Sequence, residues 1–237
     1  MKNKSLNNVI FIPVVCVILV GIFLHIKSIS PYLSLSASSK VKNPNVLIFI
    51  EVDKKRLSVV DRKGHKILDT YTIASGKPSS PTPLGTFKIT EKSHWGEGFG
   101  TRWIGLSVPW GIYGIHGTNR PNSIGGNVSA GCVRMRNIDV EDLYDKVSEN
   151  NHVVIVNGEY GPFGQGFRTL KPGDRGSDVL EVQKRLWIEG YYNSSLDGIY
   201  GEGMKKALIE FLKSRKIPET DQIDERIYEE LGIVLMD

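Results

Sequence analysis

A cysteine and a histidine in one glycine-rich stretch have the residue types and the spacing for covalent catalysis. Residues 115–137 read IHGTNRPNSIGGNVSAGCVRMRN. A cysteine thiolate is a strong nucleophile, and an imidazole can take the thiol proton and hold it as an ion pair. His116 and Cys132 are far enough apart in sequence for a loop to fold back and bring their side chains together. The pattern predicts nucleophilic attack by Cys132, with His116 as proton acceptor and donor.

Groups beside the cysteine can serve the same reaction. Residues 129–132 (SAGC) carry consecutive backbone N–H groups that can face a developing oxyanion. Arg134 can hold a carboxylate or a carbonyl in fork geometry. The alternative is a buried structural cysteine and a histidine in a turn. The flanking glycines, Gly117 and Gly131, and the run of loop residues between them are not typical of a packed core, so the catalytic interpretation is favoured.

This stretch resembles the active-site signature of the L,D-transpeptidase catalytic domain, the YkuD family. That signature is a His-Gly pair followed, after a loop, by Ser-x-Gly-Cys-x-Arg or Asn. The matching residues are His116-Gly117, Ser129, Gly131, Cys132 and Arg134. Many members have a second histidine where this chain has Ala130, which leaves His116 as the expected base.

The resemblance implies a peptidoglycan L,D-transpeptidase. The Cys132 thiolate would attack the third residue's carbonyl in a tetrapeptide stem, and terminal D-Ala would leave. An amine of a second stem would then resolve the thioester into a 3-3 cross-link. The expected supporting roles are His116 for proton transfer, Gly117 for orienting His116, Gly131 N–H for the oxyanion, and Arg134 and Ser129 for substrate binding.

Two other functions remain compatible with the sequence. Water could resolve the same thioester, which would make the protein an L,D-carboxypeptidase that releases terminal D-Ala. A non-catalytic cell-wall-binding protein is the second alternative, although His116 and Cys132 are both present with the family spacing. No cofactor is expected, and no His/Cys cluster has the spacing of a metal site.

Charge and composition restrict the expected partners. The net charge of +4 is spread along the chain, without a basic face interleaved with aromatic residues, so nucleic acid is not expected. A mildly basic protein favours anionic surfaces such as a cell wall or lipid headgroups. Hydrophobic residues make up 40% of the chain, which is sufficient for a globular core. Peptidoglycan is therefore the expected partner.

The N-terminal segment, residues 1–44, is predicted to be a membrane anchor followed by a tether. Residues 9–26 read VIFIPVVCVILVGIFLHI, an uncharged apolar run preceded by Lys2 and Lys4. Its length is typical of a transmembrane helix, and the lysines favour an N-terminus-in orientation. The catalytic domain would then face the cell wall from the cell membrane. Cleavage of a signal peptide near residues 34–37, giving a secreted protein, is the alternative.

Residues 45–158 are predicted to form a mostly β catalytic domain with a short helix. Asn137 is the expected helix N-cap, and residues 91–101, with His94 and Trp95, are expected to form an exposed loop or a flap. The family resemblance implies a β-sandwich or barrel. Apolar, β-branched runs predict strands at 46–52, 57–60, 66–74, 84–89, 103–108, 111–115 and 152–156.

Residues 159–168 are rich in Gly and Pro and are predicted to be a flexible linker to a small all-α domain at 169–237. Helical periodicity there predicts three helices. The segment resembles the PG_binding_1 peptidoglycan-binding module, with departures at Met204 and Leu212. We expect this domain to retain the enzyme on the wall without a part in the chemistry. The matching residues are Gly173, Gly176, Asp178-Val179, Gln183, Leu186, Gly190-Tyr191, Asp197-Gly198, Gly201, Ala207 and Phe211.

Overall fold

The computed structural model describes residues 45–235, in which ten strands are followed by a helical region. Eight strands form one mixed sheet in the order β3-β2-β1-β10-β5-β6-β7-β9, and β4 pairs with β8 separately. Their bounds are β1 Val46–Glu51, β2 Arg56–Asp61, β3 Lys66–Thr72, β4 Ser75–Gly76, β5 Gly85–Ser93, β6 Trp103–Leu106, β7 Tyr113–His116, β8 Asn127–Ser129, β9 Val133–Arg134 and β10 His152–Val156.

The parallel pair β1 and β10 lies in the interior of the sheet. Both strands are rich in Val and Ile, which pack well on a pleated surface. Alternate side chains are buried in each strand: Val46, Ile48 and Ile50 in β1, and Val153 and Ile155 in β10. This pair anchors β5, β6 and β7, and therefore positions the strand that ends in His116.

One helix, α1 (Asn137–Lys146), follows β9 and buries Val140 and Leu143 completely. The prediction that Asn137 is its N-cap is wrong. Arg136 is the cap residue, and its side chain makes no capping hydrogen bond. The Asn137 side-chain oxygen instead accepts hydrogen bonds from the loops around His116, as described below.

The C-terminal region contains α2 (Ser177–Ile188), α3 (Glu202–Ser214) and α4 (Glu225–Glu230). Asp224 is the N-cap of α4, and its carboxylate accepts a hydrogen bond from Ile227 N–H at 3.1 Å. Apolar residues from all three helices form a separate core, among them Val182, Phe211 and Ile227. A mostly β domain followed by a helical region confirms the coarse fold prediction. The eight strands of the β domain form one hydrogen-bonded sheet whose end strands are β3 and β9.

The predicted anchor at residues 9–26 lies outside the described residues. No helix within 45–235 has the length and apolar character needed to cross a membrane. Inside the segment predicted as a linker, Gly161–Phe163 forms a short 3-10 helix.

Candidate active site

Pairing of β7 with β9 brings the two halves of the sequence motif together. The strands are parallel, with Ile115 opposite Val133 and His116 opposite Arg134. Ile115 and Val133 are buried in the core and fix the register. Cys132 directly precedes β9, so strand alternation puts it on the same face as Arg134 and therefore on the face of His116.

The His116 ring is held by its own neighbour in the chain. Its Nδ1 lies 2.5 Å from the Gly117 carbonyl oxygen. Because a carbonyl can only accept, Nδ1 carries the hydrogen and Nε2 has the free lone pair. Gly117, expected to orient the ring, contacts it through its carbonyl oxygen, and Nε2 is left able to accept a proton.

Aromatic residues enclose the same imidazole. Phe99 meets it edge-on with ring centroids 5.0 Å apart, and Trp103 stacks on it at 5.9 Å. Trp95, predicted to sit at an exposed tip, stacks on Trp103 at 4.6 Å. Burial is the largest effect on the pKa of His116 and lowers it, and the positive charge of Arg134 lowers it further. Hydrogen bonds to the backbone of Gly117 and of Phe99 act in the opposite direction, but the pKa remains below its ordinary value. His116 is therefore held in its neutral form.

Asn137 fixes the backbone on both sides of the histidine. Its Oδ1 accepts from Thr118 N–H at 3.0 Å and from Thr101 N–H at 3.3 Å. A Cβ at Gly117 or at Gly100 would collide with this oxygen, so both glycines are needed for the approach. Sequence reasoning missed this role of Asn137; the available signal was a polar amide three residues after Arg134, where the cysteine motif ends.

Cys132 is partly exposed and is the free cysteine of the described residues. Burial raises the pKa of its thiol, whereas a hydrogen bond from the Gly114 backbone and the charge of Arg134 lower it. Burial is the larger effect, so the pKa of the Cys132 thiol is raised, while the pKa of His116 is lowered. Both shifts favour a neutral thiol and a neutral imidazole over the expected ion pair. The structure shows no hydrogen bond between these two described side chains, and such contacts are often long before substrate binds.

Ser129 shapes the loop that carries the nucleophile. Its hydroxyl accepts from Gly131 N–H at 3.0 Å and donates to the Cys132 carbonyl at 2.6 Å. Ser129 is 1% exposed, so its hydroxyl serves the loop. The Gly131 N–H, predicted to bind the oxyanion, therefore already has the Ser129 hydroxyl as its acceptor. Gly131 adopts φ +120°, which favours glycine.

Arg134 has one polar atom that the protein leaves without a partner. Its backbone is tied to Ala74 by two hydrogen bonds of 2.8 and 2.9 Å. Within the described part of the chain, its buried Nε makes no hydrogen bond. Buried polar atoms are usually satisfied, so this Nε is a donor available to a bound molecule or to water.

Two known families match the chain. Residues 45–156 match the family described as "L,D-transpeptidase catalytic domain", and residues 175–231 match the one described as "Putative peptidoglycan binding domain". The Bacillus licheniformis protein named "Putative L,D-transpeptidase YkuD" is 39% identical over 120 residues, which cover 49% of this chain and 70% of that protein. The Bacillus subtilis protein of the same name is 45% identical over 92 residues, covering 38% and 55% respectively.

The chain therefore belongs to the L,D-transpeptidase (YkuD) family, and it combines that catalytic domain with a C-terminal domain of the peptidoglycan-binding family. Among solved structures, the catalytic domain of an E. faecium L,D-transpeptidase matches with 20% identity and a TM-score of 0.41. That match covers 48% of this chain and 98% of the E. faecium domain.

Proposed function

We propose that this enzyme is a peptidoglycan L,D-transpeptidase that acts through a Cys132 thioester. Cys132 Sγ attacks the third residue's carbonyl carbon in a tetrapeptide stem, and the C–N bond to terminal D-Ala breaks. The thiol proton passes to His116 Nε2 and then to the departing amine. An amine of a second stem attacks the thioester, its proton passes to His116, and the thiol is regenerated as the 3-3 cross-link forms.

The observation that carries this proposal is the pairing of β7 with β9. It joins His116, whose Nε2 is free to accept a proton, to the strand that carries Arg134 and directly follows Cys132. The Cys132 thiol and the His116 imidazole both start neutral, so the proton moves as the sulfur attacks. No ion pair has to be maintained in a partly buried site before substrate binds. Arg134, with its unsatisfied Nε, is the proposed ligand for a carbonyl or carboxylate of the stem.

Oxyanion stabilisation in this proposal involves the loop of Ser129 and Cys132. The Gly131 N–H can contribute if it is shared between the Ser129 hydroxyl and the oxyanion, and Cys132 N–H is the second donor. Ser129 thus acts by positioning this loop. This differs from the substrate contact that the sequence analysis predicted for it.

The domain organisation supports action on the cell wall. We propose that residues 45–158 catalyse cross-linking and that residues 169–237 bind peptidoglycan, with residues 159–168 connecting them. The apolar run at residues 9–26 supports placement outside the cytoplasm, either as a retained single-pass anchor or as a cleaved signal.

Intact-protein mass spectrometry during turnover tests the chemistry directly. The chain from residue 45 onward, mixed with purified tetrapeptide muropeptides, should gain the mass of the stem minus D-Ala, and Cys132→Ala should not. Release of cross-linked dimers would support transfer, and exclusive release of tripeptides would assign the L,D-carboxypeptidase activity instead. If the wild type forms no adduct and no product but sediments with sacculi, the non-catalytic wall-binding function is correct.

A further inference from the structure

The helical region packs on the catalytic domain at Trp110, in the turn between β6 and β7. The indole is 5% exposed and meets Phe87 edge-on, with ring centroids 5.9 Å apart. A Cβ on Gly198 would lie 2.9 Å from Trp110 Cζ3 and closer still to Cε3, so the Gly198 backbone rests on the indole. Ile199 and Leu180 pack against the same core. The two domains therefore share an apolar contact, in addition to their covalent connection.

This contact fixes the backbone of Arg175. Arg175 forms an antiparallel bridge with Ile199, and Gly176 N–H donates to the Gly198 carbonyl at 3.0 Å. Arg168 Nη2 donates to the Arg175 carbonyl at 3.2 Å. The Arg175 side chain is exposed. Unlike Arg168, which pairs with acidic residues, Arg175 forms no salt bridge within residues 45–235. Its guanidinium can therefore bind an anionic ligand.

Tyr113 connects this loop to the nucleophile. Its ring lies against Gly131, where an added Cβ would be 2.6 Å from Tyr113 Cε1. Burial raises the pKa of Tyr113, negative charge on Cys132 raises it further, and the charge of Arg175 lowers it. Arg175 lies in the same region, because its bridge partner Ile199 follows Gly198, which rests on Trp110, three residues before Tyr113.

We propose that Arg175 binds a free carboxylate of the stem peptide beside Cys132, and that docking of the helical region on Trp110 places it there. The inference rests on the function proposed above. A guanidinium binds a carboxylate through two parallel charge-assisted hydrogen bonds, and stem peptides present free carboxylates. The helical domain would then complete the substrate site, besides its proposed role in retention on the wall.

Binding measured without turnover tests the role of Arg175. Cys132→Ala serves as background, and calorimetry gives the Kd of a purified tetrapeptide stem. Adding Arg175→Ala should weaken binding by about tenfold or more, the size expected for a lost charge-assisted pair, and Arg175→Lys should recover part of it. Arg185→Ala, an exposed arginine in the same domain, is the matched control and should leave Kd unchanged.

Amidation of the ligand's carboxylates distinguishes a direct contact with Arg175 from a purely structural role of this residue. When they are amidated, Arg175→Ala should no longer weaken binding relative to the Cys132→Ala background. An equal loss with free and amidated stems would overturn the proposed carboxylate contact. Unchanged Kd in Arg175→Ala, with tight binding in the background, would overturn this inference alone. Absence of stem binding in the Cys132→Ala background would contradict the proposed function itself.

Disrupting the contact between the helical domain and Trp110 should weaken stem binding as Arg175→Ala does. Gly198→Ala places a methyl group against Trp110, at φ +66°. Gly190→Ala is the matched control, because Gly190 also has positive φ (+83°) but no atom near its added Cβ. With the Cys132→Ala background and circular dichroism to verify folding, Gly198→Ala should weaken binding as Arg175→Ala does, and Gly190→Ala should not. Equal Kd values for both glycine variants would contradict placement by docking.

Discussion

The Trp103 indole lies nearly parallel to the His116 imidazole, with 5.9 Å between ring centroids and 26° between the ring planes. Both side chains are 2% exposed, so the indole keeps water from one face of the proposed base. Trp103 is fixed in turn by a hydrogen bond from its Nε1 to Glu91 Oε1 at 2.7 Å. Burial is the largest cause of the lowered pKa of His116, which makes Trp103 a positioning residue for the histidine.

Trp103→Phe should raise the pKa of His116 and move the acid limb of the rate profile to higher pH. The smaller ring admits water beside the imidazole, and Glu91 loses its indole partner. We also expect stability to fall by about 1–3 kcal/mol. Trp95→Ala removes a ring that stacks on Trp103, at 4.6 Å, and should leave the acid limb in place. The measurement is kcat/KM against pH, with thermal denaturation of each variant.

The wild-type pH dependence should report a neutral catalytic pair. Because the pKa of His116 is lowered, its base form persists below the ordinary histidine value of about 6.5. The acid limb of kcat/KM should therefore lie below that pH. The pKa of Cys132 is raised, so alkylation by iodoacetamide without substrate should remain slow until pH exceeds the ordinary thiol value of about 8.5. Rapid alkylation at neutral pH would instead support a preformed ion pair.

Ser129→Ala should lower kcat more than it raises KM. The change removes the acceptor for Gly131 N–H and the donor to the Cys132 carbonyl, so the loop that carries the nucleophile loses two constraints. A loss of about 10–100-fold in kcat would be in line with small displacements of catalytic groups. Ser123→Ala, which also removes a hydroxyl-to-backbone hydrogen bond, is the control. An effect confined to KM would favour the substrate-binding role predicted from sequence.

The strands and the catalytic motif could be predicted because their signals are local. The β-branched run at 46–52 predicts β1 to within one residue of its observed end, and the motif itself carries Cys132, Gly117 and Arg134. Hydrogen bonding within residues 129–132 was not predictable, because Ser129 can face either substrate or its own loop with the same sequence. The geometry of the turn decides between these.

Contacts between distant segments account for what the sequence did not indicate. The packing of Trp103 on His116 depends on β6 pairing with β7, and the contact of Trp110 with Gly198 joins two domains. Local periodicity contains no information on which distant residue fills a given space. An Asn at a helix start is typical of a cap, so the sequence predicts that role for Asn137; its side-chain oxygen instead accepts from the backbone N–H groups of Thr118 and Thr101.

Asn137→Ala should reduce activity through His116 while leaving the rest of the fold intact. Two N–H groups, of Thr118 and Thr101, lose their shared acceptor, which should cost about 1–3 kcal/mol of stability. The Gly117 carbonyl would then hold the imidazole less firmly, so kcat should fall. Ile138→Ala alters the next residue of α1, which is 72% exposed, and should change neither quantity. Full activity in Asn137→Ala would show that the histidine is positioned without it.

Truncation after Gly158 should destabilise the catalytic domain as well as release it from the wall. The sequence alone favours a module that acts only by retention, so turnover on soluble muropeptides would be unchanged and only sedimentation with sacculi would fall. In the structure, however, Trp110 is 5% exposed and lies under Gly198. Removing that cover exposes an indole, and burying a large apolar side chain stabilises by about 1.5–3 kcal/mol. Thermal denaturation of residues 45–158 against residues 45–237 measures the difference. An equal Tm would mean that the contact at Trp110 contributes no stability in solution.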